Sequence, residues 1–231
     1  MKRIGVIGGI GPESTVAYYR LLIKRYREEI SPNHYPEFLL HSIDMTQMLD
    51  FVFSGRLEEL TSFLAERVKL LEDAGAEFVA LASNTPHLVY DNLAAAVQVE
   101  MISIVEETCK AMATSGYKKV GLLGTKSTMS MGFYQGVGLR NGIEIVTPAE
   151  AEQNYVHEKY MGELVFNEIK PSTKSRLISV VEEMRSQHRI EGVILGGTEL
   201  PLILEQAAFE DLKVFNTTEI HVNALLEKMK T

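Results

Sequence analysis

Four short segments carry the side chains with chemistry to offer: Gly8-Gly9-Ile10-Gly11-Pro12-Glu13-Ser14-Thr15, Ser83-Asn84-Thr85-Pro86-His87, Gly124-Thr125-Lys126-Ser127-Thr128-Met129 and Gly196-Gly197-Thr198-Glu199-Leu200-Pro201. Hydroxyls, an amide and backbone N–H groups together make the donor inventory that binds a carboxylate. In the first segment Pro12 suits a first helical position, and the amides around Gly11 are placed to hold an anion at a helix start. The bland reading is that these glycines only make a sharp turn. A dinucleotide loop fits poorly, because Ser14 stands where the third glycine is needed and Asp44 lies too far along for the ribose. In the second segment Thr85 is expected to cap the helix that Pro86 opens, leaving Ser83 and Asn84 directed at a ligand. Taken singly, each segment is explained as well by capping as by binding. The four together point to a ligand.

The elements that must position these segments alternate. Arg3 to Gly8 reads as a strand and Glu13 to Ile30 as a helix. Phe38 to Ile43, Phe78 to Ala82, Lys119 to Leu123, Ile143 to Thr147 and Gly192 to Leu195 read as further strands. Leu57 to Ala74, Ser103 to Ser115, Glu158 to Lys170 and Thr173 to His188 read as helices, with Gly75 as a C-terminal stop. Strands alternating with helices imply parallel sheets covered on both faces, an α/β fold. Open parallel sheets gather ligands at the carboxyl ends of their strands, which is where all four segments fall. The halves also echo one another: Ile4-Gly5-Val6-Ile7-Gly8 leads to Ala82-Ser83-Asn84-Thr85 as Val120-Gly121-Leu122-Leu123-Gly124 leads to Gly196-Gly197-Thr198-Glu199. Two pseudo-symmetric α/β domains with a cleft between them are expected, the first from 1–98 with a C-terminal segment of about 211–231, the second from 99–210.

Composition narrows the function classes. A chain of 231 residues with 45% hydrophobic content buries a sizeable core. A formal charge of -8 and pI near 5.3 argue against nucleic acid or an anionic membrane surface as partner, and leave an anionic substrate dependent on local donors. The apolar run after Met1-Lys2-Arg3 breaks at Gly8-Gly9, too short for a signal peptide, and the expected location is the cytoplasm. The single cysteine, Cys109, offers neither a disulfide nor a metal-ligand pair, and none of the six histidines has metal-ligand spacing. Cys109 reads as a small buried apolar residue of a helix. So do Tyr18, Tyr19 and Phe133 read as core or interface residues. Arg56, Lys126 and Lys159 are the candidate cations for a distal carboxylate, and nothing in their spacing selects one. His41 and Gln47 are equally open.

The segments carry a family resemblance. Ile7-Gly8-Gly9 through Glu13-Ser14-Thr15 with Tyr18-Tyr19, then Asn84-Thr85 with His87, resemble the first half of the aspartate/glutamate racemases. Gly124-Thr125 with Thr128-Met129 and Tyr134, Thr198-Glu199-Leu200-Pro201, and Phe215 with Ile220-His221 resemble the second half. The resemblance implies an amino-acid racemase needing no pyridoxal phosphate or other cofactor, and a homodimer. It implies substrate contacts from Gly11, Asn84, Thr85, Thr125, Thr128, Thr198 and Glu199. It also implies a two-base mechanism in which one cysteine removes the α-proton and another returns one from the opposite face. Those two positions hold Ser83 and Gly197 here.

A thiol with an ordinary pKa near 8.5 yields a useful thiolate with modest help, whereas a serine hydroxyl is several units more basic, at about 1.4 kcal/mol per unit. Gly197 has nothing to ionise. Substitute bases would have to be His87, Glu199 or Asp44. Three readings follow: racemase-type proton exchange on aspartate, glutamate or a related amino acid, either weak or one-handed as the chain stands, or in a chain whose cysteine at 197 was replaced by glycine in an otherwise intact motif; a binding or regulatory protein that keeps the carboxylate cradle; or a related decarboxylase or isomerase, which the lack of any cysteine in the motifs disfavours. On the first reading, cysteines restored at 83 and 197 would bring racemisation back.

Overall fold

A computed structural model describes residues 1–231. Along the chain run β1 (Ile4–Gly8), α1 (Pro12–Glu29), β2 (Phe38–Ser42), α2 (Met45–Phe53), α3 (Leu57–Asp73), β3 (Phe78–Leu81), α4 (Tyr90–Ala96), β4 (Glu100–Ile102) and α5 (Ile104–Thr114). Then follow β5 (Lys119–Gly124), α6 (Lys126–Ser130), α7 (Phe133–Arg140), β6 (Glu144–Val146), α8 (Glu150–Gly162), α9 (Pro171–His188), β7 (Gly192–Gly196), β8 (Lys213–Asn216) and α10 (Thr217–Lys230). Every strand pairing is parallel, and the two four-stranded sheets have orders β2-β1-β3-β4 and β6-β5-β7-β8. The second order repeats the first, strand for strand. The α/β architecture with internally echoed halves is therefore present.

The chain divides into two compact units, 1–104 with 221–231 and 105–220. The C-terminal segment joins the first unit at His221 and not near 211, because Lys213–Asn216 pairs with β7 as the edge strand of the second sheet. In the first unit, the apolar face of α3 packs on the sheet through Leu60, Leu64, Val68 and Leu71, against Ile7, Val79 and Leu81. Burying each such side chain contributes roughly 1.5–3 kcal/mol. The helix stops where the sequence suggests: Gly75 adopts φ +96°, and the amides of Gly75 and Ala76 close onto Glu72 and Leu71 carbonyls. The expected helix Glu158–Lys170 is displaced. Residues Glu150–Gly162 form α8 and Leu164–Phe166 a separate turn, because Glu150 and Glu152 favour a helix start just after Pro148.

Each sheet has one place where successive connections leave in opposite directions. In the first it lies between β1 and β3, paired Ile7 to Leu81; in the second between β5 and β7, paired Gly124 to Gly196. Such a switch point opens a crevice at the strand carboxyl ends. The loops leaving β1, β3, β5 and β7 are the four segments singled out above.

Candidate functional site

In the first unit the loop after β1 is held by its own side chains. Gly9 sits at φ +85°, and its amide donates to Thr15 Oγ1 at 2.7 Å. Ser14 Oγ donates to the Gly11 carbonyl at 2.7 Å. Of the amides available for an anion, that of Gly9 is thus already engaged, while Gly11 occupies the N-cap of α1 with no side-chain cap.

After β3, Ser83, Asn84, Thr85 and His87 are all buried. The turn that follows is a 3-10 helix beginning at Thr85, so the cap position falls on Asn84, whose side chain makes no cap hydrogen bond. Thr85 is therefore the first residue of the turn and not its cap. His87 Nδ1 lies 2.9 Å from the Ser83 carbonyl oxygen. A carbonyl only accepts, so Nδ1 carries the proton and Nε2 presents a bare lone pair. That buried Nε2 has no hydrogen-bond partner among the protein's atoms. Burial, with help from the nearby His221 ring, lowers the His87 pKa to about 3. A base that weak gives the Ser83 hydroxyl little help in losing its proton. His221 is itself buried between Tyr18 and the Ile102 carbonyl, at 2.8 and 3.0 Å. Asp44, the third substitute base considered, is an exposed cap of α2, accepting from the Thr46 amide at 2.8 Å.

The second unit presents its loops in the same way. Thr125 caps α6, accepting from the Thr128 amide at 3.2 Å, and the Thr125 and Thr128 hydroxyls lie 3.0 Å apart. After β7, Thr198 Oγ1 donates to Glu199 Oε2 at 3.0 Å. Tyr160 of α8 donates its hydroxyl to the same carboxylate oxygen. Glu199 and Tyr160 are both buried, at 1% and 6% exposure. Burial first, then the Glu199 charge, push the Tyr160 pKa well above its ordinary value. Gly197 lies against this ring: a Cβ built on it would fall 2.3 Å from Tyr160 Cε2 and 2.9 Å from Cζ. A cysteine at 197 therefore has no room while Tyr160 stays in place.

Sequence reasoning missed Tyr160. The available signal was Gly197 itself, since a missing side chain in a packed interior implies that another residue fills the volume. The three candidate cations are all engaged: Arg56 with Asp50 and Glu59, Lys159 with Glu158 and Glu163, and Lys126 with Asn154 at 2.7 Å. Cys109 is fully buried, and burial pushes its thiol up to about 12.

Residues 7–225 match the sequence model of a family described as Asp/Glu/Hydantoin racemase. The chain is 30% identical over 146 residues to a broad specificity amino-acid racemase of Bacillus subtilis (strain 168), a match covering 62% of this chain and 63% of that relative. It is 38% identical to the crystal structure of an aspartate racemase homologue from Pyrococcus horikoshii, with a TM-score of 0.86 over the whole of both chains. The aspartate racemase of Picrophilus torridus superposes with a TM-score of 0.82 at 23% identity, over 100% of this chain and 95% of that one, a likeness of fold.

Proposed function

The chain belongs to the Asp/Glu/Hydantoin racemase family, and from that premise we propose that it binds an amino acid by its α-carboxylate and handles the α-proton from the Ser83 side, without a cofactor. The observation that carries this reading is the burial of hydroxyl and amide side chains at equivalent switch points of both sheets: Ser83, Asn84 and Thr85 in one, Thr125, Thr128 and Thr198 in the other. Ordinary turns keep such groups in water. Asn84 and Thr85, with the Gly11 end of α1, are the proposed carboxylate-binding groups of the first unit, and Thr125, Thr128 and Thr198 are their counterparts in the second. Glu199 supports them through Thr198. The family premise makes Ser83 and Gly197 the two base positions.

With serine at one and no side chain at the other, α-proton exchange falls far below that of a two-thiol site. A base on a single face removes a proton from one enantiomer only. A second reading, a binding protein without chemistry, is favoured by the Tyr160 ring lying over Gly197.

Calorimetric titration with L- and D-aspartate, L- and D-glutamate and a panel of neutral amino acids tests the binding claim. Saturable binding of at least one amino acid is expected. Asn84→Ala and Thr198→Ala should each weaken it by about 1–3 kcal/mol, the usual worth of a hydrogen bond to a charged group. Unchanged affinity in both variants removes the assignment of these groups.

A further inference from the structure

The second base position is not simply vacant. Gly197 lies between Gly196 and Thr198 at the end of β7, and the space that any side chain there would enter is occupied by the ring of Tyr160, which comes from α8. The nearest atoms to a Cβ at 197 are Cε2 at 2.3 Å, Cζ at 2.9 Å and the hydroxyl at 3.1 Å, all belonging to this one ring. Real Cβ contacts do not come this close, so either the ring moves or the side chain is refused. The ring is held at both ends of its length. Its hydroxyl donates to Glu199 Oε2, and its body is buried. Swinging it away leaves a carboxylate that is 1% exposed with one donor fewer, which is costly for a buried charge.

We propose that Tyr160 is the residue that sets the stereochemical outcome in this chain: by occupying the space beside Gly197 and locking onto Glu199, it seals the second proton-exchange face, so that the two enantiomers of a bound amino acid are not interconverted. Tyr160 does not replace the missing thiol as a base. Its hydroxyl is spent on a carboxylate, and delivering that proton to a substrate would leave a phenolate beside Glu199, two like charges in a dry setting. Gly197, Tyr160 and Glu199 therefore form one exchange unit: glycine makes room for the ring, the ring shields the face, and the carboxylate fixes the ring. The stereochemical consequence rests on the proposed function above. The steric coupling does not.

The steric coupling is tested without any substrate, by a thermal-stability cycle of Gly197→Ala and Tyr160→Leu. Adding one methyl group at 197 should lower Tm by roughly 3–10 °C in the parent chain, the usual scale of overpacking. It should cost little in the Tyr160→Leu background, where the ring is gone. Equal cost in both backgrounds overturns the inference. So does the absence of any cost in the parent.

Thiol labelling under native conditions gives an independent reading, since the fully buried Cys109 stays silent. Gly197→Cys should yield a fast-reacting thiol only when combined with Tyr160→Leu. A fast-reacting, stably folded Gly197→Cys protein with Tyr160 intact overturns the inference. For chemistry, Ser83→Cys with Gly197→Cys should give no interconversion of L- and D-amino acids above the detection limit, and adding Tyr160→Leu should bring it to at least 10-fold above that limit. Interconversion by the double variant at the rate of the triple one overturns the inference, as does a 10-fold loss of any parental exchange on Tyr160→Phe, which would make the hydroxyl a proton carrier. Coupling in the stability cycle together with an inert triple variant leaves the seal standing and counts against the proposed amino-acid chemistry instead.

Discussion

At the residue scale, the site is defined by acidities. On the proposed function Ser83 stands where a thiol would be ionised with modest help, and the candidate helper His87 has its protonated Nδ1 committed to the Ser83 carbonyl at 2.9 Å and its pKa lowered to about 3. An alkoxide several pKa units harder to form than a thiolate slows exchange by orders of magnitude, at a factor of ten per unit of about 1.4 kcal/mol. Ser83→Cys alone should accordingly raise solvent exchange of the α-proton of a single enantiomer by at least 10-fold and produce none of the other, as followed by NMR and chiral chromatography. An equal rise for both enantiomers would place a working second base somewhere in the chain. Nothing in the composition suggested how weak a base His87 is. The stretch Asn84-Thr85-Pro86-His87 shows only that a histidine follows the strand, and its protonation depends on burial and on the ring of His221, far along the chain.

At the element scale, the strands that matter were the legible ones. β1, β3, β5 and β7 are short, β-branched or aliphatic runs ending near glycine or serine, and each is wholly buried or nearly so. α3 and α9 were legible from apolar spacing and clear ends. α8 was misplaced because only Val156 and Tyr160 of its 13 residues are buried, too few to draw an apolar stripe. Tyr160 was missed for a second reason: its contact with Glu199 spans 39 residues of chain, which no local pattern reveals. The close approach of β5 and β7 is a further long-range feature. A Cβ on Gly196 would fall 2.9 Å from the Leu123 carbonyl oxygen and 2.7 Å from Leu122 Cδ1. Backbone cannot give way as a side chain can, so Gly196→Ala should destabilise the second unit by about 1–3 kcal/mol, read as a lowered denaturation midpoint. A midpoint unchanged from the parent would mean that the strand end relaxes freely.

At the scale of the whole molecule, the two units carry the same sheet order and the same placement of polar loops, but differ in their buried histidines. The first holds two buried histidines, His87 and His221, lowered to about 3 and about 4, chiefly by burial. The unfolded chain protonates them near 6.5, so between about pH 6.5 and pH 4 it binds up to two more protons than the folded chain. Stability from this source is complete above the unfolded value and is lost as the pH falls, at up to about 1.4 kcal/mol per pH unit for each histidine. His87→Asn retains an N–H for the Ser83 carbonyl and does not titrate. It should flatten the decline of stability between pH 6 and 4 by up to one histidine's worth, measured by denaturant titration at a series of pH values. A slope identical to that of the parent would show that His87 is already protonated in the folded chain. The family was legible from several short motifs in order. The sequence also shows Ser83 and Gly197 at the two positions where the family resemblance implies cysteines. The ring of Tyr160 beside Gly197 was not legible, because it is a matter of long-range packing.

The most direct test of the whole reading is to incubate the chain in deuterated buffer with L-aspartate, D-aspartate, L-glutamate and D-glutamate separately, following the α-proton by NMR and the enantiomer ratio by chiral chromatography. The expected result is slow deuterium entry into one enantiomer only, with no appearance of its mirror image. Loss of the α-proton from both enantiomers of one amino acid, with convergence to a racemic mixture at the roughly 1–1000 per second common among enzymes, would contradict it.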